Sequence, residues 1–126
     1  AERPRVILDG GHNPAAMTRA GAALRKLIGS ERLVAVFAML SERDPVQLIA
    51  ALKTLRPAAV VFTEPASAHG HVIPPKVLLD LYGSGAEIAQ PAEAALNRAR
   101  ELAGREGNVF VCGSLYLVGE ILALRD

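Results

Sequence analysis

Short apolar runs alternate with amphipathic segments along the whole chain. The apolar runs have the length of strands, and the segments between them place apolar residues at helical spacing. The predicted strands are residues 6–9, 33–40, 58–62, 86–89 and 108–112. The predicted helices are residues 14–28, 45–55, 75–81, 91–103 and 115–124. Continuous apolar strands separated by crossover helices are typical of a parallel sheet that is covered on both faces. The pattern therefore predicts an α/β fold, a doubly wound, mostly parallel sheet with helices on both faces, of Rossmann-like type.

The composition fits one such layered domain. The chain has 126 residues, of which 51% are hydrophobic and only 4% aromatic, so Ala, Val and Leu must fill the core. This length predicts a single domain, residues 1–126. The chain enters its first strand within a few residues, which fits either a natural domain or a piece of a longer chain.

Charge and cysteine content narrow the classes of function. The net charge of +1 gives no basic face of the kind that binds nucleic acid. No apolar run approaches the ~20 residues of a membrane span. The single cysteine, Cys112, excludes an internal disulfide and fits a reducing compartment. We therefore expect a cytoplasmic, monomeric protein that binds neither nucleic acid nor membranes.

Polar loops follow several of the predicted strands. In open parallel sheets, ligands lie beyond the carboxyl ends of the strands, where connections diverge to opposite faces. The loops after the first, second, third and fifth strands begin at Asp9, Ser41, Thr63 and Cys112. These loops are therefore expected to carry the binding residues.

The first loop lies in the stretch VILDGGHNP and joins a strand to a helix through two glycines. Asn13 is a suitable N-cap, and Pro14 suits the first helical position. Two interpretations of Asp9 and His12 are open: Asp9 accepts backbone donors of the turn while His12 faces solvent, or both bind a ligand. The sequence has no G-x-x-x-x-G-K-[ST] motif and no G-x-G-x-x-G that opens a helix after a strand. We therefore expect the main triphosphate site to lie outside this domain.

The second loop, SERDP, and the last loop, CGS, each contain a helix cap and a further candidate. Asp44 is interpreted as an N-cap, with Gln47 completing a capping box. Arg43 is either an exposed surface residue or a guanidinium that binds a carboxylate or phosphate. Ser114 is the expected N-cap of the last helix, whose N-terminus offers further N–H donors to an anion.

Other residues near the last loop are predicted to be structural. Cys112 is interpreted as a small buried side chain and not a nucleophile, because no base adjoins it in the sequence. Tyr116 and the leucines around it are predicted to belong to the core.

Three stretches resemble one protein family, in the order in which that family has them. VILDGGHNPAAM resembles the D-G-A-H-N-P signature of folylpolyglutamate synthases, and CGSLYLVGEIL is similar to the G-S-L-Y-L-V-G-E segment that ends those proteins. Between them, AMLSERDP stands where the family has a D-K-D-like or D-R-D-like turn. The resemblance runs over residues 5–124. The family belongs to the Mur-type amide ligases, whose carboxyl-terminal domain has a Rossmann-like fold, and the chain resembles that domain alone.

The resemblance implies part of an ATP-dependent ligase. Enzymes of this family use ATP and Mg²⁺ to phosphorylate a carboxylate on a folate, and the amine of L-glutamate then attacks the acyl phosphate to form an amide. In bacteria the same protein often also joins glutamate to dihydropteroate. The P-loop, the metal ligands and most of the folate site belong to an amino-terminal ligase domain, which is the implied partner of this chain. The chain alone is therefore predicted to be inactive.

The matched motifs also assign site residues. Asp9 and His12 match the aspartate and histidine of the signature, which implies contacts with the incoming glutamate and with the nucleotide. Arg43 matches the basic residue of the turn, and Ser114 matches the serine of the terminal segment, which implies glutamate binding for both. Asp9 is left with two possible partners, the α-ammonium group of glutamate or a ribose hydroxyl. No catalytic residue and no metal ligand is implied within this chain.

Two alternatives remain. One is the corresponding domain of a cell-wall Mur-type ligase that adds an amino acid to a nucleotide-linked peptide, although its terminal motif differs from G-S-L-Y-L. The other is a stand-alone α/β binding module, such as a receiver-like domain. A receiver needs a phosphoacceptor Asp after the third strand and a Lys after the fifth. The chain has Thr63 and Glu64 at the first place and Gly113 and Ser114 at the second.

Overall fold

The computed structural model describes residues 3–124, in which strands and helices alternate as the hydrophobic pattern predicts. The strands are β1 (Arg5–Leu8), β2 (Leu33–Phe37), β3 (Ala59–Phe62), β4 (Ala86–Ile88) and β5 (Asn108–Cys112). The helices are α1 (Pro14–Ile28), α2 (Pro45–Thr54), α3 (Pro75–Tyr82), α4 (Ala92–Ala103) and α5 (Leu115–Ala123), with a short 3₁₀ turn at Ala66–Ala68. Every predicted element is present, and all boundaries but one agree with the prediction to within about one residue, the usual uncertainty of helix and strand ends.

The exception is the end of β2, which is predicted at residue 40 and lies at Phe37. The next two residues are buried, so the apolar run continues, but their backbone leaves the sheet. The carbonyl oxygen of Met39 accepts from the Ile73 N–H at 3.0 Å, and Leu40 forms an isolated antiparallel bridge with Val72. The loop after β3 thus replaces the sheet as the hydrogen-bonding partner of this segment.

The strands form one sheet in the order β1-β5-β2-β3-β4, and every pairing within it is parallel. β5 pairs with β2 along its whole length, from Asn108 opposite Leu33 to Cys112 opposite Phe37. On its other side β5 pairs with β1. The carboxyl ends of β1, β5 and β2 therefore lie side by side at one edge of the sheet, and the predicted parallel sheet is confirmed.

Two hydrophobic layers cover the sheet. The helices α1, α2 and α3 pack on one face, and α4 and α5 pack on the other, as expected for a doubly wound fold. On the first face the rings of Phe37 and Phe62 meet edge to face, with their centroids 5.9 Å apart. On the second face, Ala95 and Ala99 of α4 are fully buried against the valines of the strands. Small alanine side chains let α4 lie close to the sheet, which confirms a core built largely from Ala and Val on that face.

The helices have the lengths of a layered domain. The longest, α1, has 15 residues, fewer than the ~20 residues that a membrane span needs. Within residues 3–124, no helix is both long and apolar enough to cross a bilayer.

Candidate functional site

The loops that follow β1, β2 and β5 open a crevice at the carboxyl edge of the sheet. α1 and α2 leave β1 and β2 toward one face, whereas α5 leaves β5, which lies between those strands, toward the other. Neighbouring connections that diverge in this way leave room for a ligand. The residues predicted from the sequence, Asp9, His12, Arg43 and Ser114, all lie in these three loops.

A cavity of about 580 Å³ occupies this crevice. It is lined by side chains from all three loops, namely His12, Leu40, Glu42, Arg43, Leu115 and Tyr116. Its volume is within the range of about 300–1,000 Å³ that is typical of small-molecule sites. The structure thus brings His12 and Arg43 onto one cavity, whereas Asp9 and Ser114 do not line it.

Asp9 shapes the first loop. Its backbone N–H donates to the carbonyl oxygen of Val111 at 3.0 Å, which continues the β1–β5 ladder beyond the end of β1. Its Oδ1 accepts from the Gly11 N–H at 2.8 Å. The first interpretation of Asp9, that it accepts a backbone donor of the turn, is therefore confirmed. Because Oδ2 takes no part in that bond, a turn role and a ligand contact are compatible for this half-buried side chain.

His12 stands just before α1, at the wall of the cavity. Its Nδ1 lies 3.3 Å from the carbonyl oxygen of Gly10. Since a carbonyl oxygen only accepts, Nδ1 carries the proton of this bond, and Nε2 is the ring nitrogen that can meet a ligand. Asn13 caps α1 as predicted, with its Oδ1 accepting from the Ala16 N–H at 2.8 Å. The cap fixes the backbone on which His12 is carried.

Arg43 is fixed through its backbone and exposed at its side chain. Its N–H donates to the carbonyl oxygen of Leu40 at 3.2 Å. Asp44 follows as the N-cap of α2, as predicted, with its Oδ1 accepting from the Val46 N–H at 2.9 Å. The Arg43 guanidinium forms no salt bridge with any of residues 3–124. Its planar fork is therefore free to bind an anion.

Ser114 is fully buried. Its Oγ accepts from the N–H groups of Tyr116 at 3.1 Å and Leu117 at 3.4 Å, so the predicted N-cap of α5 is confirmed. These bonds occupy the accepting side of the hydroxyl. Any contribution of this position to an anion site then comes from the N–H groups at the start of α5, which the cap holds in place.

Cys112 closes β5 and is buried. Its Sγ lies 3.9 Å from the carbonyl oxygen of Val36. Burial, together with the negative charge of Asp9, raises the pKa of the thiol. The thiol is therefore protonated and inaccessible, which confirms that Cys112 is a small buried side chain.

The prediction that Tyr116 and its neighbouring leucines belong to the core is wrong for Tyr116 and Leu115. Tyr116 is 46% exposed and Leu115 is 64% exposed, and both line the cavity, whereas Leu117 is fully buried. Residues in the first turn of a helix that starts at the carboxyl edge lie beside the crevice, and their place just after the Ser114 cap could have identified them. Glu42 also lines the cavity, and only its position next to Arg43 indicates this in the sequence.

The described residues contain no cluster of three or more His, Cys, Asp or Glu side chains that could hold a metal ion. Mg²⁺ prefers carboxylate and phosphate oxygens, and the cavity offers one carboxylate, Glu42, beside the guanidinium of Arg43. These residues do not form a magnesium site by themselves. They suit a small molecule that carries both carboxylate and ammonium groups.

Two proteins with similar sequences are each several times longer than this chain. A probable bifunctional folylpolyglutamate synthase/dihydropteroate synthase of Haloferax volcanii is 31% identical over 121 residues, which cover 93% of this chain and 14% of that protein. The dihydrofolate synthase/folylpolyglutamate synthase of Escherichia coli is 30% identical over 131 residues, which cover 100% of this chain and 29% of that protein. The chain thus spans less than a third of the length of these curated relatives.

Solved structures share the fold, and a family model matches most of the sequence. Escherichia coli FolC in complex with DHPP and ADP has a TM-score of 0.88 and 27% identity, covering 100% of this chain and 30% of that chain. A bifunctional folylpolyglutamate synthase/dihydrofolate synthase with Mn, AMPPNP and L-glutamate bound has a TM-score of 0.86 and 28% identity, covering 99% and 30%. The family model described as Mur ligase, glutamate ligase domain, matches residues 1–115. The chain therefore belongs to the Mur ligase family, as a glutamate ligase domain.

Proposed function

We propose that this chain is the carboxyl-terminal domain of an ATP-dependent ligase that adds L-glutamate to a folate, and that it binds the incoming glutamate. The observation that carries the proposal is that one cavity combines His12, Glu42 and Arg43 at the carboxyl edge of the sheet. The names of the relatives support the substrate class, since both include folylpolyglutamate synthase. One related structure is described with L-glutamate and AMPPNP bound, and another with DHPP and ADP.

The charges of the cavity complement those of glutamate, which has two carboxylates and one ammonium group. The Arg43 fork matches one carboxylate in bidentate geometry. The N-terminus of α5 favours the second carboxylate, and the imidazole of His12 lines the same cavity. Glu42 is the carboxylate that can pair with the α-ammonium group. Leu115 and Tyr116 provide apolar surface for the methylene groups.

The proposed reaction needs the glutamate amine held close to an activated carboxyl group. In the complete ligase, a folate carboxylate reacts with ATP to give an acyl phosphate and ADP. The α-ammonium group of glutamate gives up a proton to solvent, and the resulting amine attacks the acyl carbon. The C–N bond forms, the C–O bond to phosphate breaks, inorganic phosphate leaves, and the new amide nitrogen releases its second proton to solvent. Holding the amine in place makes this attack effectively intramolecular. Positioning by Arg43, Glu42 and His12 supplies that effect, and no proton transfer by His12 is required.

Other parts of the proposal concern the rest of the protein. We infer that ATP, Mg²⁺ and most of the folate are held by an amino-terminal ligase domain, and that residues 1–126 form one domain that closes over it. In this arrangement Asp9 Oδ2 contacts either the α-ammonium group or a ribose hydroxyl, and His12 lies near the nucleotide. A monomer in the cytoplasm is the expected state, and the buried free thiol of Cys112 supports a reducing compartment.

Glutamate binding to the complete ligase, with ADP present, tests the proposal. We expect Arg43→Ala and His12→Ala each to weaken binding by about tenfold or more, because a hydrogen bond to a charged group contributes about 1.5–3 kcal/mol. Isothermal titration calorimetry measures the affinities. Arg105→Ala is the matched control, because Arg105 is exposed in the α4–β5 connection at the opposite edge of the sheet. Unchanged affinity in both Arg43→Ala and His12→Ala contradicts the proposal.

A further inference from the structure

The carboxylate of Glu120, in the second half of α5, holds the loop that follows β3. Its Oε2 accepts from the backbone N–H of Ser67 at 2.6 Å and also from the Ser67 hydroxyl. Ser67 is the central residue of the 3₁₀ turn Ala66–Ala68. One carboxylate oxygen therefore binds both donors of one residue and joins α5 to a loop far away in the sequence.

The 3₁₀ turn is in turn bonded to the loop that carries Arg43. The N–H of His71 donates to the carbonyl oxygen of Ala68 at 3.0 Å, and the carbonyl oxygen of His71 accepts from the Ser41 N–H at 3.1 Å. The Arg43 N–H donates to the carbonyl oxygen of Leu40 at 3.2 Å, and Leu40 is the residue that forms the antiparallel bridge to this loop. A continuous path of backbone hydrogen bonds therefore leads from the 3₁₀ turn to Arg43.

Helix α5 also forms part of the cavity directly. Leu115 and Tyr116 line the cavity at the start of the helix. Glu120 lies four residues after Tyr116, one turn further along the same face. Glu42 and Arg43 contribute to the cavity from the β2–α2 loop. One helix thus supplies one side of the cavity and, through Glu120, holds the loop after β3, which is hydrogen-bonded in turn to the β2–α2 loop on another side of the cavity.

We infer that Glu120 is a positioning residue that fixes Arg43 relative to the Tyr116 side of the cavity and so sets the fit for glutamate. The inference rests on the proposed glutamate site. Without the carboxylate, Ser67 loses the acceptor of two charge-assisted hydrogen bonds. The loop after β3, and the β2–α2 loop that is bonded to it, then become more mobile. The Arg43 guanidinium must be ordered when glutamate binds, and this ordering weakens the affinity although no group that touches the ligand has been removed.

Hydrogen exchange in the complete ligase tests, independently of activity, whether the contact between Glu120 and Ser67 holds these loops in place. We expect Glu120→Ala to speed amide exchange several-fold in peptides that cover residues 40–43 and 66–73, as measured by mass spectrometry. Glu120→Gln keeps an oxygen that can accept and should give an intermediate increase. Glu106→Ala removes an exposed carboxylate from the α4–β5 connection and should exchange like the wild type.

Steady-state kinetics of the same proteins test the effect on glutamate. Glu120→Ala should raise the KM for glutamate about tenfold, with kcat within about twofold of the wild type and the KM for ATP unchanged. Ser67→Ala removes only the hydroxyl donor and should raise the glutamate KM less, and Glu120→Gln should restore part of the wild-type value. This separation of KM from kcat is not expected of a general loss of stability.

Two results overturn the inference: wild-type exchange at residues 40–43 in Glu120→Ala, or a fall in kcat at an unchanged glutamate KM. A wild-type ligase with no glutamate-dependent activity overturns the proposed function instead, and the exchange experiment then decides on the contact between Glu120 and Ser67 alone. The two failures are therefore distinguishable.

Discussion

Gly10 lies against Leu115, with no space for a side chain between the first loop and α5. A Cβ on Gly10 would lie 2.3 Å from Cδ2 of Leu115 and 3.3 Å from its Cγ. Because Leu115 is exposed, its side chain can shift away from such a contact. It would then move the cavity wall that it forms. The absence of a side chain at Gly10 therefore affects the shape of the cavity as well as the turn.

We predict that Gly10→Ala weakens glutamate binding several-fold in the complete ligase while lowering the free energy of unfolding by less than about 1 kcal/mol. Gly119→Ala is the matched control, because a Cβ on Gly119 meets no atom within 4 Å. That control should stabilise α5 by about 0.5–1 kcal/mol and leave binding unchanged. Titration calorimetry and urea unfolding measure the two quantities. Wild-type affinity in Gly10→Ala would show that the packing of Leu115 does not matter for the ligand.

At the scale of the element, α5 begins differently from the first three helices. α1, α2 and α3 begin with a proline, which has no N–H that needs a partner. α5 begins with Leu115 and depends on Ser114, whose hydroxyl accepts from two of the unpaired N–H groups. One of these belongs to Leu117, which is fully buried, so water cannot easily replace the cap.

We therefore predict that Ser114→Ala lowers the free energy of unfolding by about 1–2 kcal/mol, the usual cost of losing an N-cap. Ser84→Ala, an exposed position in the turn before β4, should change it by less than about 0.5 kcal/mol. Urea unfolding followed by circular dichroism gives both values. A loss of glutamate affinity in Ser114→Ala without a loss of stability would mean that the hydroxyl contacts the ligand and does not serve mainly as a cap.

The order and type of the elements could be predicted because each has a hydrophobic period of its own. The end of β2 could not, because Ala38 and Met39 remain buried after the strand has ended. A run of apolar residues indicates that a segment is buried, but it does not indicate which segment its backbone is hydrogen-bonded to. The prediction that Leu115 and Tyr116 belong to the core is wrong for a similar reason, because apolar character does not reveal that a helix starts beside an open crevice.

Some residues of the candidate site could be predicted from the sequence, and others could not. His12 and Arg43 could be found because they follow strands and are left over when the helix caps are assigned. The structure places both on one cavity. The network around Glu120 could not be found, because it joins residues distant in the sequence, and no local pattern encodes that contact.

At the scale of the whole molecule, the site depends on the order of the strands. β5, the last strand in sequence, lies between β1 and β2, so the loop carrying His12 and the loop carrying Arg43 flank the start of α5. The cavity therefore exists only when the first and last strands, β1 and β5, have paired. Under the proposed function, a domain built in this way presents a preformed glutamate site while another domain holds the reacting carboxylate and the nucleotide.

Because the proposed function assigns ATP and the folate carboxylate to another domain, we predict that the 126-residue chain alone neither hydrolyses ATP nor joins glutamate to a folate. The sequence has no G-x-x-x-x-G-K-[ST] motif to hold a triphosphate, and residues 3–124 contain no cluster of three or more potential metal ligands. Release of ADP and the mass of the folate product are measured for the folded chain, with the complete ligase as the positive control. ADP or product formed above the enzyme-free rate, and abolished by His12→Ala, would place a catalytic site within this chain and contradict a purely positioning role for the domain.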